Sequence, residues 1–125
     1  MTINFLVFDS VPDFKRHIEQ TIAETKTSMG TQMRRIDEAK KRLKNRASST
    51  DTKKLDIAGF RVLVNPTIEH ELKLMEETFS SLQERLELFE KSKELFPHLT
   101  NQSMKVAVVL EDGLPSAFML DLRKD

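Results

Sequence analysis

The stretch from Asn65 to Phe96 constrains the fold most, because its apolar residues repeat with heptad spacing. These residues are Ile68, Leu72, Met75, Phe79, Leu82, Leu86, Phe89 and Phe96, with Lys93 at the one place that lacks an apolar side chain. Steps of four and three residues form one stripe on a helix and are typical of a coiled-coil seam. Asn65 can cap this helix, Pro66 suits its first turn, and Pro97 can end it. The sequence therefore predicts a helix over residues 66–96.

A second long helix is predicted upstream, over about residues 11–45. Ser10 followed by Asp13 is a capping-box pattern, and an apolar stripe with a period near 3.6 follows it. The stripe consists of Val11, Phe14, Ile18, Ile22, Thr25, Met29, Met33, Ile36 and Leu43. Gly30 costs roughly 1 kcal/mol relative to alanine in a helix interior. We expect a kink or a close helix approach at this glycine.

One predicted strand precedes each of the two helices. Ile3–Phe8 is a short, nearly continuous apolar run that suits a buried strand. Between residues 54 and 64 the apolar residues occupy odd positions before Gly59 and even positions after it. This change of phase predicts a β-bulge at the glycine, or alternatively two short strands around a bend. The polar segment 47–52 reads as a loop.

The C-terminal part predicts a hairpin. Met104–Leu110 and Ala117–Leu122 are apolar strands on either side of Asp112-Gly113, a dipeptide typical of tight turns. Pro115 restricts the second strand to a sheet edge or a bulge at its start.

These elements predict a single α+β domain over residues 1–125, in the order β-α-β-α-β-β. We expect a small four-stranded sheet with two long helices packed on one face. Helices of about 30 residues run roughly 45 Å and would overhang such a sheet. We therefore expect Ile68–Phe79 to pack near the sheet, and Leu82–Phe96 to form an extension that needs a partner, from this chain or another.

Composition excludes several chemistries. The chain has no cysteine, which removes disulfides, thiol catalysis and cysteine-based zinc sites. Its start lacks the basic region of a signal peptide, and no apolar run approaches the roughly 18 residues of a membrane span. We expect a cytoplasmic protein with no membrane association.

Charge is unevenly distributed although the net charge is zero. Residues 34–54 contain nine Lys or Arg and three acids, whereas residues 66–96 contain eight Glu and four Lys or Arg. A basic cluster of this kind can neutralise phosphates in nucleic-acid binding. The candidate residues are Arg34, Arg35, Lys40, Lys41, Arg42, Lys44 and Arg46. No aromatic residue lies among them to stack on bases, and a basic helix end also suits the helix dipole.

The sequence carries no catalytic or cofactor motif. His70 follows Glu69, but the zinc motif HExxH would need a second histidine where Leu74 stands. With three glycines in all, there is no glycine-rich phosphate loop. We expect no enzyme activity, no metal and no cofactor.

The leading hypothesis is a non-enzymatic protein–protein interaction module, such as an adaptor, an assembly factor or an inhibitor. It would act through its extended helical surface and form a homodimer. The residues predicted to bind protein are Leu82, Leu86, Leu88, Phe89 and Leu95. The alternative is a nucleic-acid-binding protein that uses the basic region 34–54.

Overall fold

Five strands and two long helices make up the chain over residues 2–44 and 53–121, the ranges that the computed structural model describes. The elements are β1 (Ile3–Phe8), α1 (Val11–Lys44), β2 (Lys53–Ile57), β3 (Phe60–Val64), α2 (Ile68–Ser92), a 3₁₀-helix (Lys93–His98), β4 (Lys105–Glu111) and β5 (Leu114–Asp121). The predicted α+β class is confirmed. The predicted four-stranded sheet is wrong, because the strands form one sheet of three and another of two.

The sequence predicts one domain, and in the structure the chain groups into two compact units. The first comprises Met1–Thr27 and Leu82–Asp125 and is called the sheet unit, because it contains β1, β4 and β5. The second comprises Ser28–Ser81 and is called the hairpin unit, because it contains β2 and β3. Each long helix contributes one segment to each unit.

The three-stranded sheet is antiparallel throughout, with β4 between β1 and β5. The turn from β4 to β5 is Asp112-Gly113, whose φ angles of 53° and 81° are both positive, as a type I′ turn requires. The predicted hairpin is therefore confirmed. A shift of pairing register leaves Ser116 as an extra residue in β5. Pro115 thus lies beside a bulge on an edge strand, as the sequence predicted.

The core of the sheet unit joins its helix segments to the inner face of its sheet. The buried members are Val11, Phe14, Ile18, Ile22, Phe89, Leu99, Met104, Val106 and Val108, with Leu6, Phe8, Leu86, Phe96, Leu110, Phe118 and Leu120 packed against them. Thr25, which interrupts the apolar stripe of α1, is also buried. Its hydroxyl donates to the carbonyl oxygen of Thr21 at 2.7 Å, which satisfies the polar group.

The end of α2 that meets the three-stranded sheet is opposite to the end that the sequence predicted. Leu86, Phe89 and Phe96 contribute to the core of the sheet unit, whereas residues 68–79 belong to the hairpin unit. The expectation that Leu82–Phe96 extends beyond the sheet is therefore wrong, and the residues that cover this segment belong to the same chain. A seam with constant spacing looks alike at both ends, so the pattern alone cannot select the end that meets a sheet.

Side-chain caps begin both helices. Asp13 N donates to Ser10 Oγ at 3.4 Å, as the capping-box pattern predicts. At α2 the cap is Thr67 rather than the predicted Asn65. Thr67 Oγ1 accepts from His70 N at 3.2 Å, and Thr67 N donates back to His70 Nδ1 at 3.4 Å. His70 therefore takes the place that Glu or Gln holds in most capping boxes.

The end of α2 also differs from the prediction. The α-helix ends at Ser92, and Pro97 lies inside the following 3₁₀-helix instead of stopping the α-helix. Over the described ranges, neither long helix is apolar enough to cross a lipid bilayer.

In the hairpin unit, β2 and β3 pair around Ala58-Gly59, whose φ angles are 54° and 83°. A two-residue turn places odd-numbered residues opposite even-numbered ones, so that Leu55 pairs with Val62. The change of apolar phase at Gly59 therefore marks a turn and not a bulge. The alternative reading, two short strands around a bend, is confirmed.

Replacing Gly30 with alanine should stabilise the protein by up to about 1 kcal/mol, because alanine is the better helix former. Gly30 lies inside α1, and a Cβ added there would meet nothing within 4 Å, so no close helix approach requires the glycine. Urea unfolding at equilibrium measures the change. Gly59→Ala is the matched control and should destabilise, because its φ of +83° disfavours a side chain. Destabilisation by Gly30→Ala would contradict the prediction.

Candidate protein-binding surfaces

One face of the three-stranded sheet is apolar and exposed. Successive side chains in a strand point to opposite faces, so the buried Val106 and Val108 of β4 mark the inner face. The strand register then assigns Ile3, Phe5, Val7, Ala107, Val109, Ala117 and Met119 to the other face, which we call the outer face. Phe5 is 61% exposed, Val7 65%, and Ile3 and Met119 are each 52% exposed. A contiguous patch of this kind is typical of an interaction site.

Charged residues stand at the two ends of the outer face. Lys105 and Glu111 are the first and last residues of β4, both are exposed, and both share the outward parity of Ala107 and Val109. Asp121 of β5 pairs directly with Lys105. The central strand therefore presents a positive charge, two small apolar side chains and a negative charge, in that order.

The hairpin unit has a second exposed apolar surface. Its hairpin face consists of Leu55, Ile57, Phe60, Val62 and Val64, which the register of β2 and β3 places on one side. Phe60 is 72% exposed and Ile57 55%. On the opposite side of the hairpin, Arg61 Nη2 contacts Glu77 Oε2 of α2 at 3.0 Å. The polar side of the hairpin therefore contacts the helix.

The predicted helical binding residues divide into two groups. Phe89 is only 2% exposed and lies in the core of the sheet unit, and Leu86 packs against that core. Both side chains therefore contribute to the core, and Phe89 offers almost no surface while Leu86 is only partly buried. The other three, Leu82, Leu88 and Leu95, are half-buried. Leu88 and Leu95 line an open groove beside Phe118.

Ion pairs join the two long helices within the chain. In the sheet unit Lys26 Nζ lies 3.6 Å from Glu90 Oε1, and in the hairpin unit Arg42 Nη2 lies 3.6 Å from Glu71 Oε2. The helices thus pair within one chain in each unit.

The basic candidates lie at the end of α1. Arg34, Arg35, Lys40, Lys41, Arg42 and Lys44 are all exposed, whereas Arg46 lies outside the described residues. The buried Ile36 and Ala39 mark the inner side of this segment. The basic side chains spread around the rest of the helix, with Asp37 and Glu38 between them, and so do not form a single stripe. Arg42 is already engaged by Glu71.

The histidines do not come together into a metal site. His70 caps α2, His98 is exposed in the 3₁₀-helix, and His17 packs its ring against Phe8 at a centroid distance of 5.0 Å. Among the described residues, no three His, Asp or Glu side chains form a group that could hold a metal ion.

The fold stability should decrease on mild acidification because of His17. Burial lowers the pKa of His17 below its ordinary value of 6.5, the nearby Arg85 lowers the pKa further, and Glu24 opposes both. The folded state then binds fewer protons than the unfolded state. The stability from neutral His17 is complete above pH 6.5 and is lost as the pH falls through 6.5 towards the folded-state pKa. Urea midpoints measured across this window should fall less in His17→Gln than in the wild type; equal slopes would contradict the prediction.

Comparisons with protein-family models, with curated proteins and with solved structures found no match for the chain. The candidate surfaces therefore rest on the geometry of the chain itself. The sequence did not predict the exposed apolar surfaces of the outer face and the hairpin face. A signal for the outer face was present: Ile3–Phe8 is apolar at both parities, and only one parity can face helices that cover one side of a sheet.

Proposed function

We propose that the chain is a non-enzymatic protein–protein interaction module, as an adaptor, an assembly factor or an inhibitor would be, and that it binds through the outer face. The observation that carries the proposal is the exposure of Ile3, Phe5, Val7 and Met119, each more than half exposed, around the small residues of β4. In an antiparallel sheet with one solvated face, that face is usually polar. An apolar face on an otherwise highly charged chain favours a partner.

The free energy gained when a partner covers the outer face follows from the exposed side chains. Burying an aliphatic or aromatic side chain completely stabilises by about 1.5–3 kcal/mol. Covering four half-exposed side chains therefore contributes on the order of 3–6 kcal/mol per outer face, before the cost of association. This is enough to support a modest complex but not a very tight one, which suits an adaptor or an assembly component.

The proposed binding surface lies on the sheet and not on the helical seam. The seam residues Leu86 and Phe89 are already used by the core. The half-buried side chains of Leu82, Leu88 and Leu95 still offer some helical surface, and we assign them a secondary role in binding.

The test is co-purification under native conditions, with the variant Phe5→Glu compared with the wild type. Any protein bound through the outer face should be lost from Phe5→Glu. Phe60→Glu is the matched control, since it places the same charge on an equally apolar and even more exposed phenylalanine of the hairpin face. The proposal fails if the wild type neither self-associates nor carries another protein. It also fails if Phe60→Glu and Phe5→Glu lose the same partner.

Nucleic-acid binding through residues 34–54 is the second candidate. Six of its predicted side chains are exposed on α1, which supports it, whereas their spread around the helix and the Arg42–Glu71 pair count against it. A fluorescent oligonucleotide titrated at low and at moderate salt tests it, because binding through phosphates weakens steeply with salt. Arg35→Glu combined with Lys40→Glu should abolish any binding. No binding at low salt would eliminate this candidate.

A further inference from the structure

We infer that the protein bound to the outer face is a second copy of this chain, with the two three-stranded sheets packed face to face and their β4 strands antiparallel. The inference rests on the proposed function, since it names the partner of the same surface. The arrangement has a two-fold axis between the sheets, which runs across the strands at the level of Val108.

The charges at the two ends of β4 favour this arrangement. With the β4 strands antiparallel, Lys105 of one chain faces the partner's Glu111, and the symmetric contact repeats the pair. In the other aligned packing, with the two-fold axis along β4, Lys105 would face its own copy and so would Glu111. Like charges placed opposite each other are destabilising, so only the antiparallel arrangement is electrostatically complementary.

Side-chain size points to the same arrangement. An axis at the level of Val108 places Met119 opposite the partner's Ala117 and Val109 opposite the partner's Ala107, since these residues lie one step on either side of the axis in the observed register. On β1, Phe5 faces the smaller Val7. Larger side chains thus meet smaller ones in each strand, as interdigitating sheet faces require. A rotation of about 30° between aligned sheets keeps this order.

The area indicates a weak dimer. Three strands about 4.8 Å apart and seven residues long at about 3.4 Å per residue cover roughly 300 Å² of sheet on each chain. A standard protein interface buries about 800 Å² per partner, so this one lies at the small end. We expect a dissociation constant on the order of 10–100 µM, which sets the concentration range of the test.

The test is sedimentation equilibrium from about 1 µM to about 1 mM, a range that brackets the expected affinity. The wild type should pass from the mass of one chain to twice that mass. Glu111→Lys alone and Lys105→Glu alone should each weaken the dimer about tenfold or more, because each turns two attractive contacts into two repulsive ones. The double variant Lys105→Glu with Glu111→Lys should return to within about threefold of the wild type, because the opposite charges are restored.

Mixing the two single variants gives the sharpest result. Every contact between a Glu111→Lys chain and a Lys105→Glu chain is attractive, so the mixture should form dimers at concentrations where neither variant does alone. A misfolded variant could not produce this rescue, and Lys73→Glu, at an exposed residue of α2 in the hairpin unit, serves as the charge control.

The outcomes separate the inference from the proposed function. If the wild type stays monomeric at the highest concentration while Phe5→Glu loses another protein, the second copy is excluded and the interaction module stands. If the wild type dimerises but neither the double variant nor the mixture is rescued, the antiparallel arrangement is overturned. If the wild type neither dimerises nor carries a protein, both proposals fail.

Discussion

Replacing Phe14 with alanine should destabilise the protein by about 3–5 kcal/mol, the usual cost of removing a buried phenylalanine. Phe14 is fully buried, and its ring lies 5.8 Å from that of Phe8 and 6.0 Å from those of Phe96 and Phe118. It thus joins α1 to the 3₁₀-helix and to two strands of the sheet. Aromatic pairs at these distances add about 0.5–1.5 kcal/mol each beyond the area that they bury. Equilibrium urea unfolding measures the loss.

Two control variants separate the causes of this loss. Phe14→Leu keeps most of the apolar volume and removes the ring contacts, so it should cost less than Phe14→Ala. Phe60→Ala removes an equal side chain that is 72% exposed in the hairpin unit, and its effect should stay within about 0.5 kcal/mol. Similar losses for Phe14→Ala and Phe60→Ala would contradict the described core.

The local elements of the fold could be predicted because each has a local cause. Ser10 and Asp13 signal the start of α1, and Asp112-Gly113 has the residues that a type I′ turn needs. Pro115 cannot donate to a ladder, so its position at an edge and beside a bulge also follows from chemistry that the residue carries itself. None of these features depends on what lies across the core.

The β2–β3 hairpin was harder to interpret because one pattern has two structural causes. An apolar phase that changes from odd to even positions fits a bulge in one strand and equally fits a two-residue turn between two strands. The sequence has Ala58 before Gly59, which is not one of the usual turn dipeptides, although Ala58 adopts a φ of 54°. Because the turn signal is weak, the sequence left the two strands as an alternative to the bulge and did not predict the second sheet.

The outer face was not predicted because an apolar pattern indicates that residues are buried but does not show what they pack against. In β1 both parities are apolar, which suggested a buried strand, yet the described helix segments of the sheet unit pack against one face of its sheet and the other face is exposed. The same uncertainty placed the binding surface on the heptad seam. Phe89 and Leu86 satisfy the heptad spacing by packing into their own core, and the most exposed apolar residues of the sheet unit are on its sheet.

Replacing Leu86 and Phe89 together with serine should unfold the sheet unit rather than dissociate a complex. Replacing Phe89 alone should lower the free energy of unfolding by about 3–5 kcal/mol, and replacing the partly buried Leu86 adds to this loss. The sum approaches about 5–15 kcal/mol, the whole free energy of unfolding of a typical domain. Hydrogen exchange of the backbone amides, followed by peptide, should show protection lost across β4 and β5. Circular dichroism should show a matching loss of ordered structure.

Leu88→Ser combined with Leu95→Ser is the matched control, since both side chains are half-buried and lie beside an open groove. It should leave the fold largely intact and retain binding through the outer face. If the heptad seam formed an interface, the reverse would be observed. The variant with Leu86→Ser and Phe89→Ser would stay folded and lose its partner, and the control variant would also lose that partner. The two pairs of variants lie on the same helix and differ in burial, so their comparison decides whether the heptad seam maintains the fold or forms an interface.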